Sequence, residues 1–190
     1  MAKTSSTAKL TTVSLLACFA FIMQSLNFPL PPFPAFLRVD FSELPAIAAG
    51  LLFGPLTGVL VEFIKNLLHF LFTGSESGIP IGQMSNFLAG GTFVLITSML
   101  ARKIPGVKGL VIGFTTATFS MAVLMSVANY LVILPAYAFL INWTIEGPEK
   151  TALVLYGIGP FNLVKGALVA LVFLPLYYRL KPKLRFPTTG

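Results

Sequence analysis

Residues 43–72 read ELPAIAAGLLFGPLTGVLVEFIKNLLHFLF, and whether they form one kinked helix or two short ones decides the topology of the chain. Two features favour two helices. Gly54-Pro55 interrupts the run, because Pro55 has no amide hydrogen to donate and disfavours helical geometry in the residue before it. The charges supply the second argument. Lys3 and Lys9 precede the first apolar run, Arg102, Lys103 and Lys108 follow the run at 83–101, and Arg179, Lys181, Lys183 and Arg185 end the sequence. Basic residues gather on the cytoplasmic side of a membrane, and the three clusters share a side only if residues 43–73 cross twice.

Outward from this stretch, apolar runs at 10–27, 43–54, 55–73, 83–101, 109–134 and 154–179 predict six helices. The solvent for them is lipid: 56% of the 190 residues are hydrophobic and 10% charged, against about 25% charged in an ordinary soluble domain. The expected fold is an all-α integral membrane bundle of six transmembrane helices, one domain over residues 1–190, with both termini cytoplasmic. The net charge of +7 lies in short clusters between apolar runs, which is topology rather than a nucleic-acid surface. Cys18, the single cysteine, cannot form an internal disulfide. Leu15-Leu16-Ala17-Cys18 resembles a lipoprotein cleavage site, but the apolar run continues through Phe19 to Met23, so residues 10–27 read as a span and not a removable signal.

The first helix of the short pair, about 12 residues or roughly 18 Å long, is too short to cross unless the preceding loop extends it. That loop, NFPLPPFPAFLRVDFSELP at 27–45, holds five prolines and four phenylalanines. It is placed outside the cell, and a stiff aromatic segment is expected to pack over the mouth of the bundle as a lid; the alternative is a connector resting on the lipid surface.

Polar residues then sort by depth. Asn129, Asn162, Lys165, Asn86 and His69 come from four helices and fall in one outer layer, whereas 87–101, 110–126 and 166–178 contain no acid, base or histidine before the terminal basic clusters. Unpaired polar groups in lipid cost several kcal/mol, so this layer should face a pocket open to the outside. Glu62, Lys65, Asn66 and His69 form one stripe at i, i+3, i+4 and i+7, with Glu62 and Lys65 the expected ion pair. Pro160 is placed to start the last helix. Lys165 has no acidic residue in its own segment and reads as a free ammonium beside two asparagines, or as a lysine snorkelling to the surface.

Catalytic and motor chemistry find no support. There is no G-x-x-x-x-G-K-[ST] loop, no Ser/His/Asp set and no paired carboxylate site, and one histidine with one cysteine offers no metal site. A pocket without an engine suggests a subunit that captures a solute and borrows energy.

The ordered features RVDFSELP, FGPLTG, VEFIKNLLHFLF, SNFLAGG, ANYLVILPAY and GPFNLVKGA resemble the riboflavin-specific S component of energy-coupling-factor (ECF) vitamin transporters, from about residue 10 to 180. The resemblance implies a prokaryotic membrane subunit, not an enzyme, that binds riboflavin under its first loop. It also implies association with a transmembrane coupling subunit and two ATPases, and import by toppling of the S component in the membrane. On that basis Asn129, Asn162 and Lys165 are expected at the polar edge of the isoalloxazine ring, Asp40 beside the ligand, Asn86 as a lesser contact, and Phe36 and Phe41 as stacking aromatics. Arg38 at the mouth suits the phosphate of FMN. For the small-residue face on the first helix that docks the coupling subunit, the nearest match is Ser14 and Cys18 with Ala17 beside them. The competing readings are an S component for another vitamin and a small autonomous transporter or membrane enzyme.

Overall fold

The computed structural model describes residues 6–75, 78–143 and 145–180, Leu180 by its backbone alone. Lys3, Lys181, Lys183 and Arg185 lie outside the described residues.

The first helix, α1 (Ser6–Ser25), turns Val13, Ala17, Ala20 and Gln24 inward and leaves Leu15, Phe19 and Ile22 exposed. In a membrane that exposed side meets lipid, so the stripe is set by packing rather than polarity. The loop that follows is tied by a two-residue antiparallel pair, β1 (Phe28–Pro29) with β2 (Arg38–Val39), Phe28 opposite Val39. It leads into α2 (Glu43–Phe53), an 11-residue helix buried along most of its length.

The break read from Gly54-Pro55 is a real helix boundary. Gly54 has φ +112, a conformation that side-chain-bearing residues rarely adopt, and Pro55 opens α3 (Pro55–Thr73) where a missing amide hydrogen costs nothing. Arg102 secures the same corner by donating from Nη1 to the carbonyl of Leu51 at 2.9 Å, covering a backbone acceptor near the end of α2. Next come α4 (Ile81–Lys103), α5 (Gly106–Ile141) and α6, which begins at Gly147 and runs to Leu180. Helices α2 and α3 lie between α1 and α4; α4 packs on α3 and α5, and α6 on α5. Five of the six helices are long and apolar enough to cross a membrane among the described residues; α2 is the short one.

Two boundaries differ from expectation. Helix α5 continues past residue 134 to Ile141, and α6 starts at Gly147 rather than near 154, leaving Pro160 inside it. The cause is a pair of π turns, Asn129–Ile133 in α5 and Leu153–Ile158 in α6. Each widens the helix shortly before a proline, Pro135 and Pro160. Leu134 N–H reaches back to Asn129, and Gly159 N–H to Val154. The five-residue reach offers room for a ring that would otherwise clash with the preceding turn.

Candidate functional site

The loop does not rest on a lipid surface. Its second half turns inward, with Val39, Asp40 and Ser42 buried, and its aromatics pack on the bundle. Phe33 meets Phe161 of α6 edge-on at 5.6 Å, and Phe36 meets Trp143, beyond the end of α5, at 5.3 Å.

Beneath it lies a buried cluster of charge. Lys165, 4% exposed, places Nζ 2.8 Å from Glu43 Oε1 and 3.3 Å from Asp40 Oδ2. This corrects two readings: Lys165 is neither a free ammonium nor a snorkelling one. Its partners come from the loop and the start of α2. Lys65, completely buried, sits 2.8 Å from Glu62 Oε2 and 3.9 Å from Glu43 Oε1. It also donates to Ser42 Oγ, which donates to Asp40 Oδ1, and the Ser42 backbone N–H reaches the same oxygen at 3.0 Å. The expected Glu62–Lys65 pair is therefore present, but it belongs to a network that ties α3, the loop, α2 and α6 together.

Withdrawing an ion from water costs several kcal/mol even after relaxation, so a cluster of this kind persists only through mutual pairing. Burial alone would raise the carboxyl of Asp40, which stands in the loop outside the helices. Lys165, Lys65 and the two hydrogen bonds from Ser42 outweigh that and hold it at about 2. Three carboxylates face two ammonium groups here. Glu43 Oε2 and Glu62 Oε1 have no hydrogen-bond partner among the described residues. A second arm runs from Gln24 of α1, whose Nε2 donates to Asn66 Oδ1 at 3.0 Å, while Asn66 Nδ2 donates to the Glu62 carbonyl at 2.8 Å.

Asn162 stands one turn before Lys165 on the same face of α6. Asn129 opens the π turn of α5, and that turn packs against the π turn of α6. Both asparagines are buried, and each donates from Nδ2 to the carbonyl four residues back, Met125 and Ile158, at 2.8 Å. An Asn amide has two N–H donors and an acceptor, so each retains capacity for a ligand. Asn86 is half-buried on α4, its Oδ1 without a hydrogen-bond partner among the described residues. His69 stands farther along α3 beside Gln83 at 3.4 Å.

Other expected residues sit differently. Phe41 is half-buried against the core and Phe36 lies over Trp143; the loop ring that reaches α6 next to Asn162 is Phe33, which sequence reasoning did not select. Glu43 was also missed as a partner of Lys165, and Ser42 as the link between Lys65 and Asp40, although both follow Asp40 in the same VDFSELP motif. Arg38 is exposed on β2. On α1, Ser14 and Cys18 are exposed, but Ala17 is 1% exposed within the bundle core. Ala17 is thus reassigned from the docking face to helix packing, because it is buried in the bundle core.

Between Glu43, Phe93, Met121, Lys165, Gly166 and Val169 lies only a narrow gap, too tight to admit a water molecule. Small-molecule sites occupy roughly 300–1,000 Å³, so a large ring system fits here only if side chains or the loop give way. What the arrangement offers is a buried donor between two carboxylates, flanked by amides that both donate and accept. That is recognition chemistry; no group of three metal-ligating side chains occurs among the described residues.

The sequence profile described as "ECF transporter, substrate-specific component" matches residues 8–177. The chain is 44% identical over 180 residues to the "Riboflavin transporter FmnP" of Bacillus subtilis (strain 168), covering 92% of each. It is 37% identical over 172 residues to the "Riboflavin transporter RibU" of Staphylococcus aureus (strain TCH60), covering 90% of this chain and 89% of that one. Among solved structures, an S component of a bacterial ECF transporter superposes with a TM-score of 0.81 at 35% identity, over 95% of this chain and 99% of the other.

Proposed function

Because this chain belongs to the substrate-specific components of ECF transporters, we propose that it captures riboflavin beneath the loop at residues 26–42 and delivers it through the membrane with partner subunits. The observation that carries this reading is the placement of Lys165. It is a buried cation held by loop and α2 carboxylates, on the same face as Asn162 and in the helix whose π turn packs against the asparagine-bearing turn of α5.

A flavin ring has carbonyl and ring-nitrogen acceptors and an imide N–H along one edge. Lys165 supplies a donor only, while Asn129 and Asn162 pair with either kind of group. Asp40 and Glu43 then accept from the hydroxyls of the ribityl chain, and Phe33 or Phe36 covers the ring as part of the loop. Asn86 supplies an acceptor from α4. The loop faces the outside and both termini lie in the cytoplasm, which puts Arg102 and Arg179 on the inner side. Docking to the coupling subunit uses the exposed Ser14 and Cys18, whose small side chains permit close helix approach. Two ATPase subunits supply the energy.

The test is a fluorescence titration of the purified protein with riboflavin. Saturable quenching that excess thiamine or biotin does not relieve is the expected result, and no quenching would exclude the proposal. FMN belongs in the same series, since Arg38 is exposed on the loop's strand pair and can meet a phosphate. Uptake by liposomes holding this chain alone would favour an autonomous transporter instead.

A further inference from the structure

The stripe on α3 has a role that pairing within one helix does not explain. Gly90 of α4 lies against Glu62 so closely that a Cβ there would stand 2.2 Å from Oε2 and 2.8 Å from Cδ. Only a glycine leaves room for the carboxylate. Glu62 in turn holds Lys65 at 2.8 Å, and Lys65 is linked to both carboxylates that hold Lys165: it donates to Ser42, which donates to Asp40, and it approaches Glu43 Oε1 at 3.9 Å. That oxygen is 2.8 Å from Lys165. Glu43 Oε1 is therefore shared unequally between two ammonium groups, and Glu62 keeps Lys65 as the more distant one.

We infer that Glu62, seated in the niche at Gly90, is a positioning residue for ligand recognition: by holding Lys65 it fixes the Asp40-Ser42-Glu43 segment and hence the Lys165 ammonium. The inference rests on the riboflavin reading above. Without the Glu62 charge, Lys65 is drawn to Glu43, and Glu43 is drawn from Lys165. A role in folding alone predicts a lowered Tm with riboflavin affinity unchanged, whereas charge balance argues the opposite for Tm. Neutralising Glu62 leaves two carboxylates for two ammonium groups, a better balanced cluster, so stability should hold or rise.

The experiment is a double-mutant cycle on the full chain in detergent, with riboflavin quenching and thermal unfolding read for each variant. Glu62→Gln should weaken riboflavin binding about tenfold without lowering Tm, and by less than about twofold in a Lys165→Gln background, since residues acting through one another couple non-additively. An unchanged affinity in folded Glu62→Gln overturns the inference, as does an equal loss in both backgrounds. Should Glu62→Gln fail to fold, Gly90→Ala takes its place: it keeps every charge, displaces the carboxylate by its Cβ, and is read by the same two outcomes. Wild-type protein that does not bind riboflavin overturns the functional reading, and the inference falls with it; wild-type binding with an additive cycle overturns the inference alone.

Discussion

The two ends of the bundle are built from opposite materials. At the loop end, Asp40, Ser42, Glu43, Glu62, Lys65 and Lys165 are buried together and hold one another by charge. At the end carrying Arg102, the helices meet through a ladder of rings. Phe93 packs on Phe114 at 5.8 Å, Phe114 on Phe173 at 5.6 Å, and Phe173 stacks on Tyr177 at 6.5 Å. Phe93 joins the two layers, since it also borders the narrow gap at Lys165. An aromatic layer is tolerant: each contact is weak and many share the load. A buried charge layer is not, because three carboxylates share two ammonium groups and removing either ammonium strands buried negative charge. Under the proposed function, the first layer serves recognition and the second cohesion.

Substitutions in the two layers should separate those roles. Lys165→Ala is expected to have the largest effect. It leaves Asp40 and Glu43 without their nearest cation, so unfolding in detergent should show a loss of about 3–5 kcal/mol, and riboflavin quenching should weaken at least tenfold. Normal binding by this variant would break the comparison outright. Phe114→Ala comes next, with about 3 kcal/mol lost in the same unfolding measurement, yet riboflavin affinity of the folded fraction should stay within about twofold.

How much of this was legible in the sequence follows the range of each interaction. The Gly54-Pro55 break could be read because its cause is local, as could the Glu62–Lys65 pair, three residues apart on one helix. The charge clusters gave the number of helices for a similar reason: each lies at the end of its own run. The partners of Lys165 were hidden because the Asp40 contact spans 125 residues, and an apolar segment without an acid says nothing of a carboxylate brought by a distant loop. The ends of α5 and α6 were misjudged because the apolar runs were bounded at 134 and 154 and Pro160 was read as a helix start, and a π turn that absorbs a proline leaves no mark in hydropathy. Ala17 shows the limit of motif matching on α1. Small-residue spacing was visible, but which side of the helix meets the bundle was decided by packing with α2 and α3.

Smaller effects sharpen the contrast. Asn162→Ala should cost about 1–3 kcal/mol in riboflavin affinity, the range for a lost buried hydrogen bond, with little change in Tm; a loss confined to Tm would move Asn162 from recognition to packing. The smallest effect concerns pH. The carboxyl of Asp40 is held at about 2, below its ordinary 3.8, so its contribution to stability is complete above the ordinary value and lost only as pH falls through about 2. Unfolding midpoints of wild type and Asp40→Asn measured between pH 5 and 8 should therefore differ by a constant amount. A gap that narrows across that interval would mean the Lys165 and Ser42 contacts do not hold the carboxylate as described.

The most direct test of the division between the layers is an experimental structure of the chain with riboflavin bound. The account predicts the polar edge of the ring within hydrogen-bond distance of Lys165 Nζ and of the Asn129 and Asn162 amides, with the Phe93–Phe114–Phe173 ladder unmoved. A flavin lodged among those rings, with Lys165 still closed between Asp40 and Glu43, would contradict it.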